Sequence, residues 1–284
     1  GRNFCNKLWN MARYIEGVVG EDFELRNPQP QTAADHWIMR ELDAAANNIA
    51  TMLEEYRFSE AHEAVYHTIW DKVADWYLEA TKIAPASSEK ATMMVWVLET
   101  CLKITHPYAP FVTEAIWQTL KWEDSQIITA RWPERTQYND DQADEFDQIQ
   151  TVISEIREVF GIVGSNDIAI MSEGSELLAR HKDLVLKLTR SAYVQDRGES
   201  SGLKLVGTNE NIWLDLDDEQ LTDYKSQLER KLADAEKAIH TLEHRLANEG
   251  YVANAPKALI AESREELTRA SDQAEHLRHQ LKHL

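Results

Sequence analysis

The chain has 284 residues, 43 % apolar and nine of them tryptophan, enough to fill more than one packed core and too apolar for wholesale disorder. No apolar run approaches the ~18–20 residues that cross a bilayer as a helix, and Cys5 and Cys101 belong to no Cys-x-x-Cys pair, which argues against a membrane-helix protein, a disulfide framework and a structural zinc site. A net charge of −19 argues at first sight against nucleic acid, because an acidic surface repels phosphate.

The opening, Gly1-Arg2-Asn3-Phe4, has no apolar signal region and enters a helical pattern without a methionine, so a segment of a longer, reduced, cytoplasmic protein is expected. Phe4, Leu8, Met11, Ile15 and Val18 recur at three- and four-residue steps and predict one amphipathic helix. Asn27-Pro28-Gln29-Pro30 breaks it. A second helix carries Ile38, Leu42, Ala45, Ile49 and Met52, and a third begins near Phe58 with Val65, Ile69 and Trp76 on its core face. A fourth runs through Val97, Cys101 and Ile104 and stops at His106-Pro107, since each proline disfavours helix in the residue before it. A short fifth spans roughly Val112 to Leu120. Residues 1–123 therefore read as a helical bundle, with tryptophans 37, 70, 76, 96 and 117 as core.

Residues 124–145 are polar and irregular, with Trp132-Pro133 and the acidic cluster Asn139-Asp140-Asp141, and read as a linker. Residues 146–217 read as a small α/β module. Phe146, Ile149, Ile153, Ile156 and Phe160 have helical spacing, Asp167–Met171 looks like a strand, and Leu177, Leu184 and Leu188 suggest another helix. Strand-like pieces follow at 193–194, 203–205 and 212–216, with Gly198, Gly202 and Gly207 at the turns.

Residues 218–284 carry the clearest pattern. Leu221, Lys225, Leu228, Leu232, Ala235, Ile239, Leu242 and Leu246 step 4-3-4-3-4-3-4. After a break at Asn248-Glu249-Gly250, Ile260, Ser263, Leu267, Ala270, Ala274, Leu277, Leu281 and Leu284 step 3-4-3-4-3-4-3. Two heptad helices of similar length with a short turn predict an antiparallel coiled-coil hairpin about 40 Å long. Such a hairpin closes its own seam, so a monomer is expected. The fold class is thus mainly α: a helical bundle, a small α/β module and a C-terminal antiparallel coiled-coil hairpin. Charge is uneven, with a net of −2 over residues 219–284 and −17 over the rest, so the hairpin is the better phosphate-facing region.

Catalytic patterns are missing from this stretch. It holds no Walker loop, no Gly-x-Gly-x-x-Gly after a strand and no nucleophile elbow. His276, His279 and His283 read as solvated positions on a coiled-coil face rather than metal ligands, and Glu54-Glu55 and Glu265-Glu266 as exposed-face charges. The chain reads as a binder, either of nucleic acid or, as an acidic helical and coiled-coil module, of a partner protein.

Several segments resemble one family. The opening GRNFCNKLWNMARYI resembles the first helix of the anticodon-binding bundle of valyl-tRNA synthetases. DHWIMREL at 35–42, the tract from Trp70-Asp71 to Ala80, HPYAPFVTEAIW at 106–117 and Trp132-Pro133 resemble further landmarks of that bundle. LANEGYVANAPKALIAESREEL, ending at Leu267, resembles the turn of the family's terminal coiled coil. The resemblance is weakest over 150–216, where an Arg-rich helix of Arg-x-x-Arg type is usual in the family and only Arg157 stands among Glu155 and Glu158.

The resemblance implies a parent enzyme that joins valine to tRNA(Val) with ATP. The family's nucleotide signatures, His-x-Gly-His and Lys-Met-Ser-Lys-Ser, are absent here, so no cofactor is expected on this portion and ATP belongs to the catalytic part. It further implies that Arg2, Asn3, Lys7, Asn10 and Arg13 of the first helix face the anticodon stem and loop. Arg230, Lys231, Lys237, Arg245, Lys257, Arg264 and Arg269 of the hairpin are expected on the tRNA elbow, and Tyr251 either stacks on a base or staples the turn.

Overall fold

A computed structural model of the chain describes residues 1–19, 27–83, 85, 87–120, 125–196 and 202–284. It divides into two compact units, Gly1–Gln148 and Ile149–Leu284. Of the expected features, Gly198 and the first residue of the polar stretch, Asp124, lie outside the described residues.

The first unit is helical. Helix α1 (Arg2–Val19) buries Leu8, Met11, Ala12 and Ile15, the middle of the predicted stripe, and leaves Phe4 and Val18 half-buried at its ends. Helix α2 (Ala33–Glu54) starts with a reciprocal capping box. Thr32 accepts from the Asp35 N–H, and the Asp35 side chain accepts from the Thr32 N–H, so orphan donors at the helix start are satisfied. At its other end Tyr56 stands at φ +61, where glycine is usual. The Arg57 N–H reaches back to the Met52 carbonyl at 2.8 Å and the Tyr56 N–H to that of Leu53 at 3.1 Å, the bond pair of a Schellman cap.

The third predicted helix is not α-helical throughout. Helix α3 (Phe58–His67) passes into a π-helical stretch, Thr68–Tyr77, then into α4 (Leu78–Thr81). Along the middle of the buried face lie Ala61, Val65, Ile69, Val73 and Tyr77, every fourth residue, with Thr68, Ala74, Leu78 and Thr81 buried beside them. In a 3.6-residue helix that repeat drifts by about 40° per step, and the wider i→i+5 turns reverse the drift so the stripe stays on the core. The same unwinding corrects the expectation for Trp76. It rotates to a half-buried position while Tyr77 takes the core site.

Helix α5 (Ser88–Thr105) is the central element, burying Val97, Cys101 and Ile104 along with Met93, Met94, Val95, Leu98 and Leu102. Helix α6 (Pro110–Leu120) follows, tied by a 2.7 Å bond between His106 Nδ1 and Thr113 Oγ1. Trp37 and Trp117 are core as expected, but Trp70 and Trp96 are only half-buried.

The stretch expected as a polar linker makes specific contacts with α2. The Trp132 indole donates to the Ala46 carbonyl (3.2 Å), Thr136 donates twice to Asp43 (2.8 and 3.0 Å), and the Asn139 N–H donates to His36 Nδ1 (3.1 Å). Helix α7 (Asp140–Val163) then begins within the expected linker, and Arg40 of α2 pairs with its Asp144 (2.6 Å) and Asp147. These bonds explain why a polar sequence is ordered here: its groups satisfy the buried polar atoms of α2, Asp43 among them.

The second unit holds a four-stranded mixed sheet of order β2-β1-β4-β3, from β1 (Ile170–Ser172), β2 (Val194–Asp196), β3 (Leu203–Lys204) and β4 (Ile212–Leu214). The strands occupy the predicted regions, displaced by up to three residues at their starts. β1 and β2 run parallel, so a crossover must join them, and α8 (Glu176–Arg180) and α9 (Lys182–Thr189) supply it; the single predicted helix breaks at His181. Gly202, at φ +115, lies so close to β4 that a Cβ would sit 2.2 Å from the Leu214 carbonyl oxygen, so glycine is required there. Within this unit α7 buries Ile149, Val152, Ile153, Ile156, Val159 and Phe160.

Helices α10 (Asp218–Ala247) and α12 (Lys257–Lys282), joined through α11 (Glu249–Asn254), form the hairpin. Arg278 bonds Glu236 at 2.7 Å and Tyr251 bonds Ser263 at 3.3 Å, so chain positions run in opposite directions, as the heptads require. At about 45 Å for α10, the length matches expectation. At the base the seam departs from the heptads. Tyr224, not Lys225, is buried, and Gln280 is buried while Leu284 is exposed. There the hairpin meets α7: Gln280 Nε2 lies 3.4 Å from Glu158 Oε2, a contact that a two-helix pattern does not anticipate.

Candidate nucleic-acid interface

On α1, Arg2, Asn3, Asn10 and Arg13 all reach solvent from the side opposite the Leu8–Ile15 stripe. Arg2 and Arg13 stand three turns apart on one line of the helix, about 16 Å along its axis. Lys7 differs from the other four. Its ammonium is 3.1 Å from Asp75 Oδ1 and 4.8 Å above the ring of Trp70, which itself stacks on Tyr66 at 5.6 Å. Phe4 extends this ladder to α1 from the other side, 5.7 Å from Tyr66. Lys7 therefore fastens α1 to the π-helical stretch, and its charge is already opposed.

On the hairpin, Arg230, Lys231, Lys237, Arg245, Lys257, Arg264 and Arg269 are all exposed. Arg245 sits two residues before the end of α10 and Lys257 opens α12, so these two, with Arg264 beside the Tyr251–Ser263 bond, place three cations at the tip, where Glu249, Glu262 and Glu265 are exposed as well. Lys237 and Arg269 line one shallow groove with Ala238, Thr241 and Ala270. Arg269 also lies 3.6 Å from Glu265, a solvent-exposed pairing of small value. Among the described residues, Arg230, Lys231, Arg245, Lys257 and Arg264 have no acidic partner within ion-pair distance. Val252 and Leu259 add exposed apolar surface at the tip. Of the two roles open to Tyr251, its hydroxyl takes the staple.

The chain thus holds a helical bundle opening on Arg-Asn-Phe and a long hairpin with exposed cations at its tip. Residues 35–170 match the family model of the anticodon-binding domain of tRNA ligase, and residues 220–284 match that of the valyl tRNA synthetase tRNA binding arm. Valine–tRNA ligases of Carboxydothermus hydrogenoformans, Staphylococcus saprophyticus and Streptomyces avermitilis are each 30 % identical to it, over 94, 93 and 99 % of the chain. The chain belongs to the valyl-tRNA synthetase family. It spans about a third of the length of these relatives, 33 % in each, and corresponds to their C-terminal region.

Within this valyl-tRNA synthetase region, the α7 residues that depart from the family pattern have structural work. Glu155, 9 % exposed, accepts from the N–H groups of Val206 (2.7 Å) and Gly207 (2.9 Å), and Arg157 Nε donates to the Leu188 carbonyl at the end of α9 (2.8 Å). Burial raises the Glu155 carboxyl above its ordinary pKa, partly offset by those two N–H donors. Burial, reinforced by the charges of Glu158 and Glu155, also raises the Tyr224 phenol. Sequence reasoning did not find the cleft beside Trp96 and Trp132. Arg131 and Arg135, on either side of Trp132-Pro133, are the one signal in the sequence that points there, within a stretch whose polarity reads as a linker.

Proposed function

We propose that this chain is the tRNA-holding part of a cytoplasmic valine–tRNA ligase that attaches valine to tRNA(Val) using ATP. In this reading the bundle grips the anticodon stem and loop through Arg2, Asn3, Asn10 and Arg13, and the hairpin lies on the outer corner of the tRNA. ATP and valine are handled by the rest of the enzyme, and the chain alone activates no amino acid. The observation that carries the reading is the hairpin tip, where Arg245, Lys257 and Arg264 stand exposed and without acidic partners on an otherwise acidic protein. Cations so placed can contact phosphates and give a salt-dependent affinity.

The test is a gel-shift series with tRNA(Val) and an unrelated tRNA at low and moderate salt. Preferential retention of tRNA(Val), weakening as salt rises, is expected; equal or absent retention of both would sink the reading. An anticodon stem-loop with altered bases isolates the bundle, and unchanged affinity there would remove base reading from α1. The chain is further taken to be a monomer, because α10 and α12 close each other's seam. Light scattering showing a dimer held through the hairpin would favour the partner-protein reading instead.

A further inference from the structure

Beside α5, the first unit carries a cleft closed by residues 131–136. It encloses about 610 Å³ and is lined by Trp96, Lys103, Glu99, Arg131, Trp132 and Arg135, among others. That volume lies in the range of small-molecule sites, roughly 300–1,000 Å³. Trp132 lines the cleft with its indole N–H tied to the Ala46 carbonyl at 3.2 Å. At the wall, Lys103 and Glu99 neutralise each other at 2.5 Å, their side chains 17 % and 18 % exposed. Arg131 and Arg135 are exposed at the rim, with no acidic oxygen in ion-pair distance among the described residues. The other acids nearby are Glu134, which is exposed, and Asp43, which receives two bonds from Thr136 and feels the charge of Arg135. Residues 1–148 carry 13 Lys and Arg against 25 Asp and Glu, so two arginines without an ion-pair partner beside two tryptophans stand out in an acidic unit.

We propose that this cleft receives one unpaired nucleotide of a bound RNA, the base lying against Trp96 and Trp132 and its phosphate on Arg131 and Arg135. Indole faces accept any base, and a planar guanidinium matches phosphate oxygens in pairs. The two chemistries stand side by side here, as a single nucleotide needs. The site rests on the reading that the chain binds RNA, but it is separate from α1 and from the hairpin tip.

The test uses the whole chain labelled with 5-fluorotryptophan, the Trp96 and Trp132 signals being assigned with Trp96→Phe and Trp132→Phe. A single-stranded hexaribonucleotide, CACACA, should move these two signals and leave the buried Trp37 and Trp117 in place. Arg131→Ala/Arg135→Ala, at two exposed positions, should raise its Kd about tenfold or more, the scale of one lost stacked and clamped nucleotide. Three results would overturn the cleft: neither signal moves at millimolar hexanucleotide, the double variant binds as the parent does, or inorganic phosphate alone produces the same shifts. Whole tRNA retained in a gel shift while these signals stay still defeats the cleft and leaves the tRNA reading standing. The reverse pattern defeats the tRNA reading and leaves the cleft.

Discussion

The hydroxyl of Tyr77 donates to Asp35 Oδ1 at 2.9 Å inside the bundle, while Asp35 Oδ2 accepts from the N–H groups of Gln31 and Thr32. One buried side chain thus closes the start of α2 and fastens it to the end of the π-helical stretch. Burial, with the charge and hydrogen bond of Asp35, holds the Tyr77 phenol well above its ordinary pKa, so it remains a donor. Tyr77→Phe should cost about 1–3 kcal/mol, the usual loss for a buried acceptor deprived of a partner. Asp35→Ala should combine non-additively with it in urea unfolding. Additive losses would mean the two residues act separately.

Tyr56 is 80 % exposed and held at φ +61, a conformation that costs an L-residue roughly 1–2 kcal/mol. Its ring contributes only an edge contact with Phe58, 6.1 Å between centroids. Tyr56→Gly keeps the Schellman bonds and relieves the strain, so the urea midpoint should rise by the equivalent of about 1 kcal/mol. A lower midpoint would show that the aromatic pair outweighs the backbone.

Glu155 gives a pH signature. Its folded pKa is raised, chiefly by burial, above the ordinary 4.5, so the folded state holds the proton more readily than the unfolded chain. Its contribution to stability is greatest below 4.5 and falls as pH climbs through the raised value. The stability difference between the parent and Glu155→Gln should therefore shift against the parent as pH rises through that window. A difference that stays constant from pH 4 to 7 would contradict the assignment.

Lys7 and its neighbours on α1 should separate in their effects. Lys7→Met removes a half-exposed ion pair and a cation–π contact and should cost on the order of 0.5–1 kcal/mol of stability, with little change in the salt dependence of tRNA binding. Arg2→Glu and Arg13→Glu should leave stability alone and each lower the slope of log affinity against log salt by about one. Equal slopes for all three variants would mean Lys7 leaves Asp75 to reach phosphate.

At the hairpin tip, Arg245→Glu with Arg264→Glu should weaken tRNA binding and flatten the same slope by about two. Both side chains are exposed, so the α10–α12 seam is untouched and helical ellipticity should stay as in the parent. An unchanged slope would take these two positions off the RNA.

Local periodicity carried most of the secondary structure. The Leu8–Ile15 stripe, the Ile38–Ile49 stripe and the hairpin heptads all encode a preferred face in the spacing of apolar residues, and burial follows that face whatever lies opposite. The motifs that resembled valyl-tRNA synthetases pointed to the family for the same reason: they are local strings. Four features were decided only by the tertiary structure. The shift from Trp76 to Tyr77 needed α3 to widen into π-helical turns, which depends on keeping a four-residue repeat against α2. The ordering of residues 127–145 came from buried acceptors and donors on α2 that a polar sequence does not advertise. At the hairpin base, Tyr224 replaced Lys225 because α7 stands beside it. The cleft arises because Trp96 of α5 and Trp132, distant in sequence, line one space, with Trp132 bonded to the Ala46 carbonyl. Spacing along one element reveals which side faces inward. What that side meets is set by long-range packing, in which each buried polar group must find its partner.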